Sequence, residues 1–147
     1  MRAPTPKAYL TRKDPRHFLF FPQNAEGKLA SKAYFGRLAQ RTRNRDLGIT
    51  LQAGLAQLRA IIKAGKAPAD DLSRITQPVL IANGDHDIMV ASEHSADMAR
   101  RLPNSRLIIY PNSGHGGIFQ YHEEFVPELL AFLDAPLPHN NSESPLS

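Results

Sequence analysis

Two apolar runs, Val79–Ala82 and Arg106–Tyr110, each break into a tight polar turn. The first exits through Asn83-Gly84-Asp85-His86-Asp87, and the second through Pro111-Asn112-Ser113-Gly114-His115-Gly116. Runs this short, rich in Val, Leu and Ile and bounded by Pro and Gly, suit strands covered on both faces. Between them Ser92–Leu102 fits a helix, with Ala96, Ala99 and Leu102 pointing inward and Pro103 ending it. Strand, helix, strand predicts a βαβ unit with parallel strands and a right-handed crossover. Parallel neighbours place the two turns at one edge of the sheet, where open α/β sheets gather functional groups. One turn carries Asp87 and the other His115, 28 residues later. A carboxylate that accepts from one imidazole nitrogen fixes the tautomer and leaves the other nitrogen as a general base.

The rest of the chain divides by pattern. Residues 1–27 are rich in Pro and charge without a sustained period and are expected to form an irregular arm. Residues 28–45 are expected to be helical, with Leu29, Ala33, Phe35, Leu38 and Ala39 as the apolar positions and arginines near the end favoured by the helix dipole. Residues 50–64 give a clearer helix. Leu51, Leu55, Leu58, Ile61 and Ile62 form one stripe, Thr50 is placed as N-cap and Gly65 as stop. Residues 66–77 connect, with a short helical turn around Asp70–Arg74, so 28–77 form one helical segment. A closing helix is expected over His122–Asp134, with Phe125, Leu129, Phe132 and Leu133 on one side and Pro127 in its first turn, where a missing donor costs little. Residues 135–147 read as a disordered tail. Residues 1–77 offer no convincing further strands, so the two-strand unit of 78–134 looks like part of a larger sheet.

Composition narrows the chemistry. With no cysteine in 147 residues, disulfide frameworks, thiolate metal sites and a cysteine nucleophile are excluded. No apolar run reaches the roughly 18 residues of a membrane span, and a cytoplasmic location without membrane contact is expected. The net charge of +4 conceals a polarity. Residues 1–70 carry 14 Lys and Arg against 4 Asp and Glu, whereas residues 71–147 carry 4 against 10. Arg37, Arg41, Arg43 and Arg45 would centre any nucleic-acid surface, but no aromatic side chain is interleaved for base stacking, and a solvated helix face is favoured. Asp85 and His86 are expected only to shape the turn through hydrogen bonds to backbone. A metal cluster of Asp85, His86, Asp87 and His115 is disfavoured, because three consecutive ligands converge poorly. His122-Glu123-Glu124 lacks the second histidine of a zinc-protease helix and reads as an exposed helix start. Phe119 and the Phe18–Phe21 patch read as packing residues. Neither a metal nor a cofactor is implied.

With these residues in view, positions 78–133 resemble the C-terminal portion of an α/β-hydrolase. The resemblance rests on PVLIANGDHDIMV, on LPNSRLIIYPNSGHG and on FVPELLAFL. It implies a partial α/β-hydrolase fold in which 28–77 correspond to the helical lid. In the family pattern the acid follows a glycine by three positions, so the resemblance gives Asp87 the acid role and His115 the base role. The family's nucleophile, the serine of a G-x-S-x-G elbow ahead of the lid, has no counterpart. No Ser here has Gly two positions before and two after, and Ser113 is too local to the histidine loop. The oxyanion-hole loop is missing too. The expectation is a second half of a hydrolase: an early-terminated or late-started product, or one piece of a split enzyme. It would act on an ester or similar small carbon-centred electrophile once an N-terminal half supplies the serine, and would be inactive alone. The alternative is a non-catalytic interaction module that pairs through its open sheet edge, with a second copy or with that half.

Overall fold

The structure, a computed structural model, describes residues 14–45 and 47–136. The predicted tail from 137 onward and the first thirteen residues of the predicted arm lie outside the described residues. Strands β1 (Val79–Gly84) and β2 (Ser105–Tyr110) form a two-stranded parallel sheet, in register from Val79 opposite Ser105 to Gly84 opposite Tyr110. Both strands end together, as the two-turn reading requires. The first runs two residues further than the apolar stretch indicates, because the Asn83 and Gly84 backbone stays paired with Ile109 and Tyr110.

The helices before the sheet are α1 (Arg16–Leu19), α2 (Ala25–Gln40) and α3 (Leu51–Ala64), followed by a 3-10 turn at Leu72–Arg74. The crossover is α4 (Ser92–Arg101), which packs on both strands, and the chain closes through α5 (Gly117–Gln120) and α6 (His122–Asp134). Ser95 and Leu102 are the buried positions of the crossover segment, with Ala96 and Ala99 half-buried beside them. Thr50 caps α3 by accepting from the Ala53 N–H, and Gly65 follows its last residue, both as expected.

Five local expectations change. Residues 14–24 are not wholly irregular, since Pro15 precedes α1 and pre-sets its first turn. Helix α2 starts at Ala25 rather than 28, because the Asn24 side chain caps it by accepting from the Gly27 N–H at 2.8 Å, and it stops at Gln40. Its buried face is Gly27, Ser31 and Tyr34, while Leu29 is 69% exposed and Leu38 is exposed. Close approach decides that face: a Cβ on Gly27 would sit 2.0 Å from the Pro22 carbonyl oxygen, so only glycine fits. Pro127 is the sixth residue of α6, past its first turn, and so cannot supply the i+4 N–H to the Glu123 carbonyl. The Leu133 side chain is 65% exposed, whereas Phe125, Leu129 and Phe132 are half-buried.

The apolar stripe of α3 is not covered. No residue of that helix is buried, and Leu51, Leu55, Leu58, Ile61 and Ile62 are all exposed. The core instead gathers at Phe21, Tyr34, Ile81, Leu102 and Tyr110. Phe20, Phe21, Tyr34 and Phe119 form one connected aromatic cluster, with ring centroids 5.0–6.4 Å apart. The Phe18–Phe21 patch thus joins the first helices to the end of the sheet. No helix among the described residues is long and apolar enough to cross a membrane.

Candidate active site

The turns after β1 and β2 are bound to each other by their backbones. The Asp85 N–H donates to the Tyr110 carbonyl at 3.0 Å, and the His86 N–H donates to the Ser113 carbonyl at 2.9 Å. In the other direction, the Ser113 N–H donates to Asp85 Oδ1 at 3.2 Å. Ser113 is fully buried, and its hydroxyl donates to the Tyr110 carbonyl at 2.9 Å. It therefore holds the histidine turn in shape and has no free oxygen to offer a substrate. Gly84 makes this closeness possible, since a Cβ there would lie 2.2 Å from the Ser113 carbonyl oxygen.

Asp87 and His115 meet across this junction. Asp87 Oδ2 accepts from His115 Nδ1 at 2.8 Å, a normal length for a charge-assisted bond. The Asp87 side chain is 1% exposed and the His115 side chain 36%. The second carboxylate oxygen is occupied as well: Asp87 Oδ1 accepts from the Met89 N–H at 2.7 Å and the Val90 N–H at 3.0 Å. A buried carboxylate with both oxygens bonded is fixed in position and has one lone-pair direction committed to the imidazole. With Nδ1 protonated toward Asp87, the Nε2 atom of His115 carries the free lone pair.

The aromatic cluster backs the imidazole. The Phe20 ring lies 5.4 Å from the His115 ring at a tilt of 60°, and the Phe20 carbonyl accepts from the Gly116 N–H at 2.8 Å. The histidine turn is thus held between the chain before α2 and the turn after β1. On its other side Asn112 adopts a left-handed backbone, φ 45°, which asparagine tolerates. Its side chain accepts from Asn24 at 2.7 Å and donates to Glu26, tying the turn to the start of α2. Neither Phe20 nor Asn112 stands out as a site-shaping residue from sequence. The asparagine-serine-glycine turn was the only signal for one, and nothing local marked the other.

Asp85 and His86 lie beside the pair. Asp85 makes its backbone contact with Ser113, as expected, and a side-chain bond to His86 Nδ1 at 2.6 Å. Burial pushes the Asp85 carboxyl up, but bonds from His86 and from the Ser113 and Asn112 backbones outweigh it and hold it below the usual aspartate range. Among the described residues no three His, Asp or Glu side chains converge as metal ligands, so Asp85, His86, Asp87 and His115 are two pairs and not one cluster. Arg37, from the predicted basic surface, donates to the Phe119 carbonyl at 2.9 Å and so has a structural contact. Of the helix start at 122–124, Glu123 and Glu124 are exposed, whereas His122 is half-buried with its Nδ1 unpartnered.

A parallel strand pair, a helical crossover and an acid–imidazole pair at the shared strand ends define the C-terminal part of an α/β-hydrolase. The sequence pattern of the alpha/beta hydrolase fold matches residues 3–120, and the chain belongs to that family. An alpha/beta hydrolase fold protein from Chitinophaga pinensis superposes with a TM-score of 0.82 at 34% identity, over 88% of this chain and 48% of that one. Over 77 residues the chain is 34% identical to a pimeloyl-[acyl-carrier protein] methyl ester esterase of Nitrosomonas europaea, covering 52% of this chain and 29% of the esterase. Over 67 residues it is 37% identical to a non-heme haloperoxidase of Rhodococcus erythropolis, covering 45% of this chain and 24% of that enzyme. The chain thus spans about half the length of the solved relative and under a third of either curated one.

Proposed function

We propose that this chain is the acid–histidine part of a hydrolase acting on an ester or a similar small carbon-centred electrophile, with the nucleophilic serine supplied from outside the 147 residues. The observation that carries this reading is the 2.8 Å bond between buried Asp87 and half-exposed His115. In the completed site a serine attacks the carbonyl carbon while His115 Nε2 takes its proton. His115 then returns that proton to the leaving group as the tetrahedral adduct collapses, and water repeats the cycle to release the acid. Asp87 stays ionised, holds the ring and stabilises the imidazolium. The esterase among the relatives supports an ester as the substrate class.

The uncovered surfaces favour the same reading. A parallel sheet is ordinarily covered on both faces and continued by further strands, and here only two strands pair among the described residues. The apolar stripe of α3 likewise lies in the open. Both fit association with a separate N-terminal half. The test is the DNA immediately upstream: a strand–G-x-S-x-G–helix pattern there, in frame or frameshifted, supports the proposal. Co-production of that segment should then restore ester hydrolysis, and unrelated upstream sequence would count against it.

The second reading, an interaction module without catalysis, draws on those same surfaces, since an open strand edge is a template for pairing. Analytical ultracentrifugation separates the cases. Concentration-dependent self-association favours the module, and a strictly monomeric, folded chain opposes it.

A further inference from the structure

Away from the Asp87–His115 pair, α2 presents Lys28, Ser31, Lys32 and Phe35 at i, i+3, i+4 and i+7, one continuous face of the helix. This face forms one wall of a cavity of about 460 Å³, and the opposite wall comes from His17, Phe18 and Gln23. The volume falls within the range of small-molecule sites. Its walls are fixed by the chain's own bonds. Gln23 Nε2 donates to the His17 and Phe21 carbonyls at 2.9 Å each, holding the turn after α1 against the cavity. His17 stacks on Phe35 with ring centroids 3.9 Å apart. Ser31, only 4% exposed, sits 2.6 Å from His17 Nδ1 through its hydroxyl.

The lining of this first cavity has one sign. No Asp or Glu borders the cavity, and neither Lys28 nor Lys32 is in an ion pair among the described residues. Both ammonium groups are donors only, so the cavity offers positive charge and hydrogen-bond donors beside two aromatic walls. Phe18 and Gln23 also border a second cavity of about 380 Å³, walled further by the apolar Leu19, Phe21, Pro22 and Ile88 and, at its far end, by His86, Asp87 and Gly114. Cationic rim and apolar extension therefore share a boundary.

We propose that this pair of cavities binds an organic carboxylate, with the carboxylate held by Lys28 and Lys32 beside the Ser31–His17 pair and an apolar body running past Phe18 into the second cavity. The carboxylate-binding end lies apart from the proposed catalytic pair, the second cavity reaches Asp87 at its far wall, and binding does not depend on hydrolysis.

Titration of the ¹⁵N-labelled full chain with 4-phenylbutyrate, read by backbone amide shifts, tests the proposal. The expected result is saturable shifts at His17, Phe18 and Lys28–Phe35. The neutral 4-phenylbutanol is expected to bind about tenfold more weakly, as loss of one charge–charge contact predicts. The double variant K28Q/K32Q changes two exposed side chains, so its fold is retained, and it should bring 4-phenylbutyrate down to the affinity of the alcohol. Equal binding of acid and alcohol, shifts lying elsewhere, or an unaltered K28Q/K32Q affinity would overturn the carboxylate site. Inorganic phosphate producing the same shifts at equal affinity would overturn the role of the apolar body. Because no hydrolysis is read, any of these failures leaves the Asp87–His115 proposal standing.

Discussion

Asp85 and Ser113 bind the two strand-end turns to each other in both directions. Asp85 Oδ1 accepts the Ser113 N–H, and the Ser113 carbonyl accepts the N–H of His86, next to Asp85. The distance from Asp87 to His115 is set by this contact more than by either turn alone. Each turn is short, and their mutual fit removes the freedom that would let the imidazole swing away from its carboxylate.

Gly84 is the position where that fit is least tolerant. A methyl group there meets the Ser113 and Gly114 carbonyl oxygens at 2.2 and 2.4 Å. Gly84→Ala is expected to destabilise the chain by about 3 kcal/mol, or to push the turns apart. Urea denaturation followed by circular dichroism measures the loss.

Asp85 should make the junction sensitive to acid. Its folded pKa lies below its unfolded value of about 4. Its stabilising contribution is therefore present above pH ~4 and is lost as the pH falls through the lower, folded value. In Asp85→Asn the acid side of the stability-against-pH curve should be shallower. Stability at neutral pH should drop by about 1 kcal/mol, a modest figure because the side chain is partly exposed.

Asp87 has two separable jobs. Asp87→Ala removes the acceptor for Met89, Val90 and His115 together and should cost roughly 2–3 kcal/mol. Asp87→Asn keeps an oxygen for the two backbone donors but turns an amide donor toward His115 Nδ1. The imidazole should then move its proton to Nε2, and ¹⁵N shifts of the His115 ring report that tautomer directly.

In a completed enzyme the same substitutions act on rate. With the serine present, Asp87→Asn should lower kcat by about 10⁴, through the wrong tautomer, and His115→Ala by at least as much. Steady-state kinetics with p-nitrophenyl acetate, the substrate held saturating, gives both values.

How far the site could be read from sequence follows from how local each signal is. The strand ends were legible because apolar runs, Gly84 and the Pro111–Gly116 turn are contiguous. With β1 and β2 parallel, Asp87 and His115 had to share an edge. The Thr50 and Gly65 caps of α3 were legible for the same reason. Helix α2 differs from its sequence pattern in its limits and in its buried face. Its inward side is chosen by contact of Gly27 with Pro22 and of Tyr34 with Phe20 and Phe21, which periodicity does not encode. Phe20 behind His115 and Asn112 beside Asn24 depend on tertiary approach across many residues, so no local pattern announces Phe20, and the Asn112-Ser113-Gly114 run marks a turn without its partner.

Hydrolysis of p-nitrophenyl acetate by the purified 147-residue chain, wild type beside His115→Ala, addresses the central claim most directly. With acid and base here and the nucleophile elsewhere, both proteins should release p-nitrophenol at the buffer rate. Turnover by the wild type that His115→Ala abolishes would show an attacking group within this chain and contradict the account.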